Sequence, residues 1–249
     1  MFNIDIDLIK KYDRPGPRYT SYPTAPQFNT SFTPLNFREE IERTNKLANA
    51  PDLSLYYHLP FCDTLCYFCG CNMIITRSRD RITDYLVHLK KEIELVRSII
   101  NDDRKAVQLH WGGGTPTHLN PDEINELIGF INSKFEFKTD SEKGCEIDPR
   151  GLEKEHLQAL FNGGFNRISM GVQDFNEKVQ KAVNRIQPQE LTLQVVNWVR
   201  EIGFSSINLD LMYGLPFQTQ STFEKTVDET IKLSPDRIAV FNYAHVPWM

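Results

Sequence analysis

Residues 106–128 read A-V-Q-L-H-W-G-G-G-T-P-T-H-L-N-P-D-E-I-N-E-L-I. A short apolar run ending at Trp111 is stopped by three glycines, which is how a buried strand meets a turn. Asn120 then stands as a helix N-cap, Pro121 takes the first helical position, and Glu123 lies three residues after the cap. Ile124, Leu127, Ile128 and Ile131 share one face of the helix that follows. The stretch is one strand–turn–helix unit.

The same unit recurs along the chain. L-S-L-Y-Y-H-L (53–59) is a strand ended by Pro60, and Ile82, Tyr85, Leu86, Leu89, Ile93 and Val96 mark one face of a helix over 80–100. K-G-C-E-I-D-P (143–149) is the next strand, followed by a helix from Leu152 to Phe161 that Gly163 and Gly164 close. R-I-S-M-G-V-Q (167–173) leads to a helix over 188–202, ended by Gly203. S-I-N-L-D-L-M-Y-G (206–214) leads to a helix over 221–233, and R-I-A-V-F-N-Y-A (237–244) is the last strand. Six strands alternating with five helices predict an α/β fold with a parallel sheet buried on both faces. A partial (β/α)6 barrel is expected, and an open doubly wound sheet is the alternative.

Residues 1–50 read as an irregular, proline-rich arm with one short helix over 35–48, and residues 51–249 as the barrel core. The chain stops five residues after the sixth strand, at V-P-W-M. A closing helix and a C-terminal domain are therefore expected to be missing.

The 249 residues carry a net charge of −5, with 40% apolar and 24% charged residues. That balance is ordinary for a globular chain and argues against a nucleic-acid partner, which needs a basic surface. No apolar run approaches the roughly 18 residues of a membrane span. The start, M-F-N-I-D-I-D-L-I-K-K-Y, has no signal-peptide core, so a cytoplasmic location is expected.

Four of the five cysteines fall within ten residues: Cys62, Cys66, Cys69 and Cys71, in C-D-T-L-C-Y-F-C-G-C. In a reducing compartment clustered thiols are ligands or redox groups sooner than disulfides. Three close thiolates can hold three irons of a [4Fe–4S] cube and leave the fourth iron open. A structural zinc site is the alternative, although zinc modules usually pair two C-x2-C elements across a longer loop. Cys145, in mid-strand, reads as a buried small residue.

Chemistry in parallel βα folds gathers at the carboxyl ends of the strands. Those ends here carry the cysteine loop, Gly112–Pro116, Glu146 with Asp148, Gln173 with Asp174, Asp210, and Asn242 to Ala244. Each has a plainer reading. A glycine triplet can be only a turn, or its N–H groups can bind a carboxylate, or it can close against a ligand. Glu146 or Asp210 alone reads as an ion-pair partner, and Arg185 alone as a surface charge. His58, His110 and His118 flank the strand ends; His88 and His156 are expected in solvent. Six segments meeting at one rim make a site.

C-x3-C-x-F-C, here Cys62, Cys66, Phe68 and Cys69, resembles the cluster motif of the radical S-adenosylmethionine (SAM) enzymes. P-R-Y-T-S-Y-P-T-A-P-Q-F, Y-x-H-L-P-F-C, H-W-G-G-G-T-P-T, E-I-D-P-R, R-I-S-M-G-V-Q-D-F, V-N-R-x-Q and N-L-D-L-M-Y-G-L-P-F-Q-T resemble the oxygen-independent coproporphyrinogen III oxidase family within it. The resemblance runs over nearly the whole chain. It implies a cluster on Cys62, Cys66 and Cys69, SAM bound at the open iron, and cleavage of SAM to a 5′-deoxyadenosyl radical. That radical would take a hydrogen from the β-carbon of a propionate, and loss of CO2 and an electron would leave a vinyl. Two such events would turn coproporphyrinogen III into protoporphyrinogen IX in haem biosynthesis.

The resemblance also implies two SAM molecules. Tyr56, Gly113 and Glu146 would hold the first; Phe68, Gly114, Thr115, Gln173, Arg185, Asp210 and Ala244 would surround the second. Cys71 is not expected to bind iron, and its C-G-C spacing separates the oxidase from haem-chaperone-like paralogues, the alternative reading. Asp63-Thr64 and Ile186 depart from the family's usual residues beside its ligands. The expected partners are the porphyrinogen and an unidentified electron donor, with the chain a monomer. The truncated chain alone is expected to be weakly active or inactive.

Overall fold

The structure is a computed structural model and describes residues 5–12 and 27–244. Most of the proline-rich arm motif (17–28) and the V-P-W-M end lie outside the described residues.

Six strands make one parallel sheet: β1 (Leu53–Leu59), β4 (Ala106–Gly113), β5 (Phe137–Ile147), β6 (Arg167–Gln173), β7 (Ser206–Tyr213) and β8 (Arg237–Asn242). Between β1 and β4, β2 (Phe61–Cys62) and β3 (Ile74–Ile75) form a two-residue parallel ladder that ties off the cysteine loop. The order in the sheet follows the order in the chain without reversal. Right-handed crossovers that always advance in one direction leave every helix on the same face. A doubly wound sheet needs a reversal of direction. The alternative reading is thereby excluded, and the sheet is an open barrel.

One ion pair reports the curvature. Glu142 on β5 accepts from Arg167 on β6 at 2.8 Å and from Arg237 on β8 at 3.3 Å. Two strands separate β5 from β8, so in a flat sheet they would lie roughly 14 Å apart. The contact spans the concave side.

The covering helices are α3 (Arg79–Arg97), α4 (Pro121–Lys134), α5 (Lys154–Asn162), α6 (Glu177–Ala182), α7 (Gln189–Ile202) and α8 (Gln220–Lys232), after α1 (Ile6–Tyr12) and α2 (Pro34–Asn45) near the N-terminus. The capping box foreseen at Asn120 and Glu123 is formed, and Gly203 ends α7 at φ 107°. Ile82, Leu86, Ile124, Leu127, Leu157, Leu160, Val195 and Val199 pack against Leu109, Trp111, Cys145, Ile168, Met170 and Leu209 of the strands. Trp111 and Phe165 meet edge to face at 5.0 Å at the centre of this layer.

Strand residues alternate, and this corrects the expectation of a sheet apolar on both faces. Leu109, Trp111, Cys145, Ile168, Met170, Leu209 and Leu211 face the helices and are buried. His110 pairs with Gly144, Glu146 with Ser169 and Gly171 with Asp210 on the inward side. The barrel interior is polar, because it is a cleft and not a filled core.

Three further elements differ from the sequence reading. β5 begins six residues early, in a polar stretch (F-K-T-D-S-E) whose Phe137 pairs with Ala106. α6 is a single short helix started by the Asn176 side chain, which accepts from the N–H groups of Lys178 and Val179. His156 is buried, not solvated: its Nδ1 accepts the Glu153 N–H at 3.2 Å at the start of α5, and burial lowers its pKa. The expected helix over 35–48 is α2, capped by Thr33, and Asn45 at its end donates to Ile99 O at 2.8 Å.

Candidate active site

Pro60 stops β1 and turns the chain into the cysteine loop, which lies over the carboxyl ends of the strands. A cleft of about 970 Å³, counting the solvent at its mouth, is lined by Cys62, Cys66, Cys69 and Cys71 on one side. Gly113, Gly114, Thr115, Glu146, Gln173, Arg185, Asp210 and Phe68, all singled out in the sequence, line it as well, with Asp148 and Arg150 among the others. Tyr56 and Ala244 do not line it. Tyr56 is exposed on β1; it hydrogen-bonds His58 and stacks on His110, whose Nε2 donates to Glu146 at 3.2 Å. Ala244 follows β8 and is exposed.

The glycine strip works by closeness. Gly113 has φ 114°, and a side chain there would meet the His58 ring at 2.5 Å. A side chain on Gly114 would strike the Pro60 carbonyl at 2.6 Å. The N–H groups of the strip are already engaged: Gly113 with Glu146 at 3.2 Å, Gly114 with Leu59 O at 2.9 Å, Thr115 with Phe61 O at 2.7 Å. The strip thus packs tightly against His58 and Pro60, and one of its N–H groups, that of Gly113, binds a carboxylate, that of Glu146.

The cysteine loop is gripped by the loop after β6. Tyr67 N–H donates to Val183 O at 3.0 Å, Asn184 Nδ2 donates to Leu65 O at 2.7 Å, and Arg185 Nη1 reaches Cys66 Sγ at 3.7 Å. Three consecutive residues, V-N-R, thus hold three consecutive residues, L-C-Y. That loop is itself braced by buried side chains. Gln180 Nε2 donates to Asp174 O and Gln187 O, and Asp174, 1% exposed, accepts from Thr226 and Gln218.

The thiols differ in environment. Burial raises the pKa of Cys62, while Thr115 Oγ1 hydrogen-bonds it at 3.5 Å. A hydrogen bond from Cys71 and the charge of Arg185 lower Cys69 to about 6, and the same bond raises Cys71. Asp210, held by Asn208 Nδ2 at 2.6 Å, is pushed up to about 6 by burial. Cys145 is fully buried, as read.

Sequence reasoning placed Asp148 at the rim but missed Arg150 and the contacts that join the two. Asp148 accepts from Arg150 at 2.6 Å and from Arg185 at 3.1 Å, and Arg150 Nη2 reaches Cys66 Sγ at 3.2 Å. Burial opposes ionisation of Asp148, but Arg185 and Arg150 together hold its pKa below the usual carboxylate range. Arg185, read alone as a surface charge, is 8% exposed. The signal was in E-I-D-P-R, where a strand end carries three charged residues.

The donor set fits an iron–sulfur cube with an adjoining polar ligand. Among the described residues no three His, Cys, Asp or Glu side chains are arranged to hold a single metal ion. Three thiolates are the number that holds three irons of a cube, each thiolate bonding a different iron. Beside the thiols, Arg185 Nε and Gln173 Oε1 are buried without a hydrogen-bond partner, one a donor and one an acceptor. Gln173 holds φ 65°, a strained conformation for its type, at this point of the cleft.

The radical SAM superfamily profile matches residues 56–230. The chain is 48% identical, over all of its length, to the oxygen-independent coproporphyrinogen III oxidase of Helicobacter pylori, and spans 55% of that protein. It is 49% identical over 98% of its length to the enzyme of the same name in Escherichia coli (strain K12), and spans 52% of it. The solved structure of coproporphyrinogen III oxidase from Escherichia coli, described as a radical SAM enzyme, superposes with a TM-score of 0.89 at 46% identity. That match covers 99% of this chain and 54% of the other. Methylornithine synthase, at 10% identity and a TM-score of 0.54 over 83% of this chain and 58% of that one, shares the fold alone. The chain spans about half the length of the curated relatives it matches.

Proposed function

The chain belongs to the radical SAM superfamily, and we propose that its site serves the oxygen-independent oxidative decarboxylation of two propionates of coproporphyrinogen III to vinyls, giving protoporphyrinogen IX in haem biosynthesis. The family implies a [4Fe–4S] cluster and SAM. The observation that carries the reading is the meeting of Cys62, Cys66 and Cys69 with the glycine strip, Glu146, Gln173, Arg185 and Asp210 in one cleft. Near-half identity to enzymes of that name supports the substrate.

When bound, the cluster and SAM supply a carbon radical able to take hydrogen from an unactivated position. The protein's residues place and shield. Cys62, Cys66 and Cys69 hold the irons; Thr115 and Arg150 donate to two of the sulfurs. Phe68, packed near Val179, Val183 and Leu215, covers the loop with apolar surface. Glu146, oriented by Gly113 N–H and His110, keeps a carboxylate at the mouth of the strip for a hydroxyl or ammonium donor. Arg185 Nε and Gln173 Oε1 offer one donor and one acceptor to a ligand.

We assign two SAM molecules to the site. Tyr56, Gly113 and Glu146 serve the first, with Tyr56 tied to Glu146 through His110. Phe68, Gly114, Thr115, Gln173, Arg185, Asp210 and Ala244 serve the second. The arm (1–50) and the barrel (51–249) are taken as the two parts of the chain. The reaction is assigned to the cytoplasm, to a monomer, with an external one-electron donor; a reducing compartment is where clustered thiols serve as ligands sooner than as disulfides. No helix among the described residues is long and apolar enough to cross a membrane.

The test is electron paramagnetic resonance of the anaerobically reconstituted, reduced protein with and without SAM, followed by a porphyrin assay. A [4Fe–4S] signal that changes with SAM is expected of this chain, and vinyl product from coproporphyrinogen III is expected of the full-length protein. SAM cleavage by the full-length protein without vinyl product would remove the substrate. Haem transfer without SAM cleavage would favour a carrier.

A further inference from the structure

Cys66 is the one cysteine of the loop that two guanidinium groups reach. Arg150 Nη2 donates to its sulfur at 3.2 Å and Arg185 Nη1 at 3.7 Å. Cys62 hydrogen-bonds a hydroxyl, Thr115 Oγ1, and Cys69 the thiol of Cys71, both uncharged; Arg185 acts on Cys69 only through its charge, without a hydrogen bond. The two arginines come from different segments, after β5 and after α6, and are brought together by one carboxylate. Asp148 Oδ2 accepts from Arg150 Nη2 at 2.6 Å and from Arg185 Nη1 at 3.1 Å.

Arg150 has no nitrogen left over for a ligand. Its Nε donates to both oxygens of Asp148 at 3.0 and 3.2 Å, its Nη1 to Asn184 O at 3.4 Å, and its Nη2 to Asp148 and Cys66. An arginine that recognised a carboxylate or phosphate ligand would present a free edge of its fork. Arg185, which lines the cleft as Arg150 does, differs in keeping its Nε buried and without a partner. The function of Arg150 is therefore directed inward, at the sulfur.

We propose that Asp148, Arg150 and Arg185 form a clamp that raises the reduction potential of the cluster by fixing positive charge and N–H donors on the sulfur of Cys66. One carboxylate and two guanidiniums leave one net positive charge beside that thiolate. The one-electron-reduced cluster carries one more negative charge, spread onto its thiolates. Donors and cations at a thiolate favour that form, and hydrogen bonds to sulfur are among the features that set cluster potentials. Arg150 is in this scheme a positioning residue: it touches a cluster ligand and not the reacting atoms. The proposal rests on the cluster assignment to Cys62, Cys66 and Cys69.

The test uses the anaerobically reconstituted chain and its Arg150→Met, Arg150→Gln and Arg150→Lys variants, without SAM. Iron and acid-labile sulfide are counted, and the midpoint potential is read by paramagnetic resonance during titration with dithionite. The clamp predicts full iron in the Met and Gln variants with a midpoint more negative than wild type, and a Lys variant between them. A full cluster at the wild-type potential in the Met variant would overturn it. So would loss of iron in all three variants, which would make Arg150 a brace for the loop. A wild-type chain that takes up no cluster would instead remove the functional reading itself, and the clamp with it.

Discussion

The side-chain amide of Asn184 donates to the carbonyl of Leu65 at 2.7 Å, joining two loops 119 residues apart in the chain. Leu65 immediately precedes Cys66, so the bond fixes the backbone that aims a proposed cluster ligand. Asn184 makes it from φ 54°, a conformation that asparagine tolerates better than most residues. Replacing it by glycine keeps the backbone and removes the bond. Asn184→Gly is expected to cost ~1 kcal/mol of loop stability and to speed loss of iron to a chelator. An unchanged release rate would show that the loop holds itself.

Cys66→Ala is expected to abolish the cluster, since two thiolates cannot keep a cube. Cys71→Ala is expected to keep it, because Cys71 is exposed and serves as a hydrogen-bond donor to Cys69. Iron and sulfide counts separate the two. Full iron in the first variant, or its loss in the second, would mean that the ligand set is misread.

Gly113→Ala meets two penalties at once: a backbone at φ 114°, and the His58 ring 2.5 Å from the new methyl. Strain of this kind costs roughly 1–3 kcal/mol, and a chain of this size loses about 2–4 °C of melting temperature per kcal/mol. Calorimetry of the variant should show a fall of several degrees together with weaker SAM binding. Wild-type melting would mean that the strip can relax.

Asp210 sets a pH dependence whose sign is fixed. Its carboxyl is raised to about 6 by burial, with Glu146 adding and Asn208, Arg185 and Arg167 opposing. A raised carboxyl favours folding when protonated, so its benefit is complete below the ordinary pKa near 4 and is lost as pH rises through 6. Asp210→Asn should therefore stabilise the unliganded protein at pH 8, by on the order of 2 kcal/mol, and leave it unchanged at pH 4. Equal melting shifts at both pH values would refute the assignment.

The repeating unit was legible because its signals are local. The strand over 167–173 and the cap at Asn120 lie where the pattern put them. The early half of β5 was not legible, since its residues are polar and partly exposed and carry no apolar period. In the site, the cysteines and glycines announce themselves by spacing. Arg150 and Arg185 do not, because what distinguishes each from a surface arginine is a buried Asp148 and a distant Cys66. His156 misled for a similar reason: a polar residue at a helix start reads as solvated until its cap and its burial are seen.

The carboxylate of Glu142, shared by Arg167 and Arg237 at the amino ends of the strands, reaches across the end of the barrel opposite the cleft. All three side chains are partly exposed, and an ion pair in such a place contributes at most about 1 kcal/mol. The curl it bridges is carried by the twist of the strands and the packed helix layer. The pair is a gauge of the vessel's radius, read at the end far from its contents.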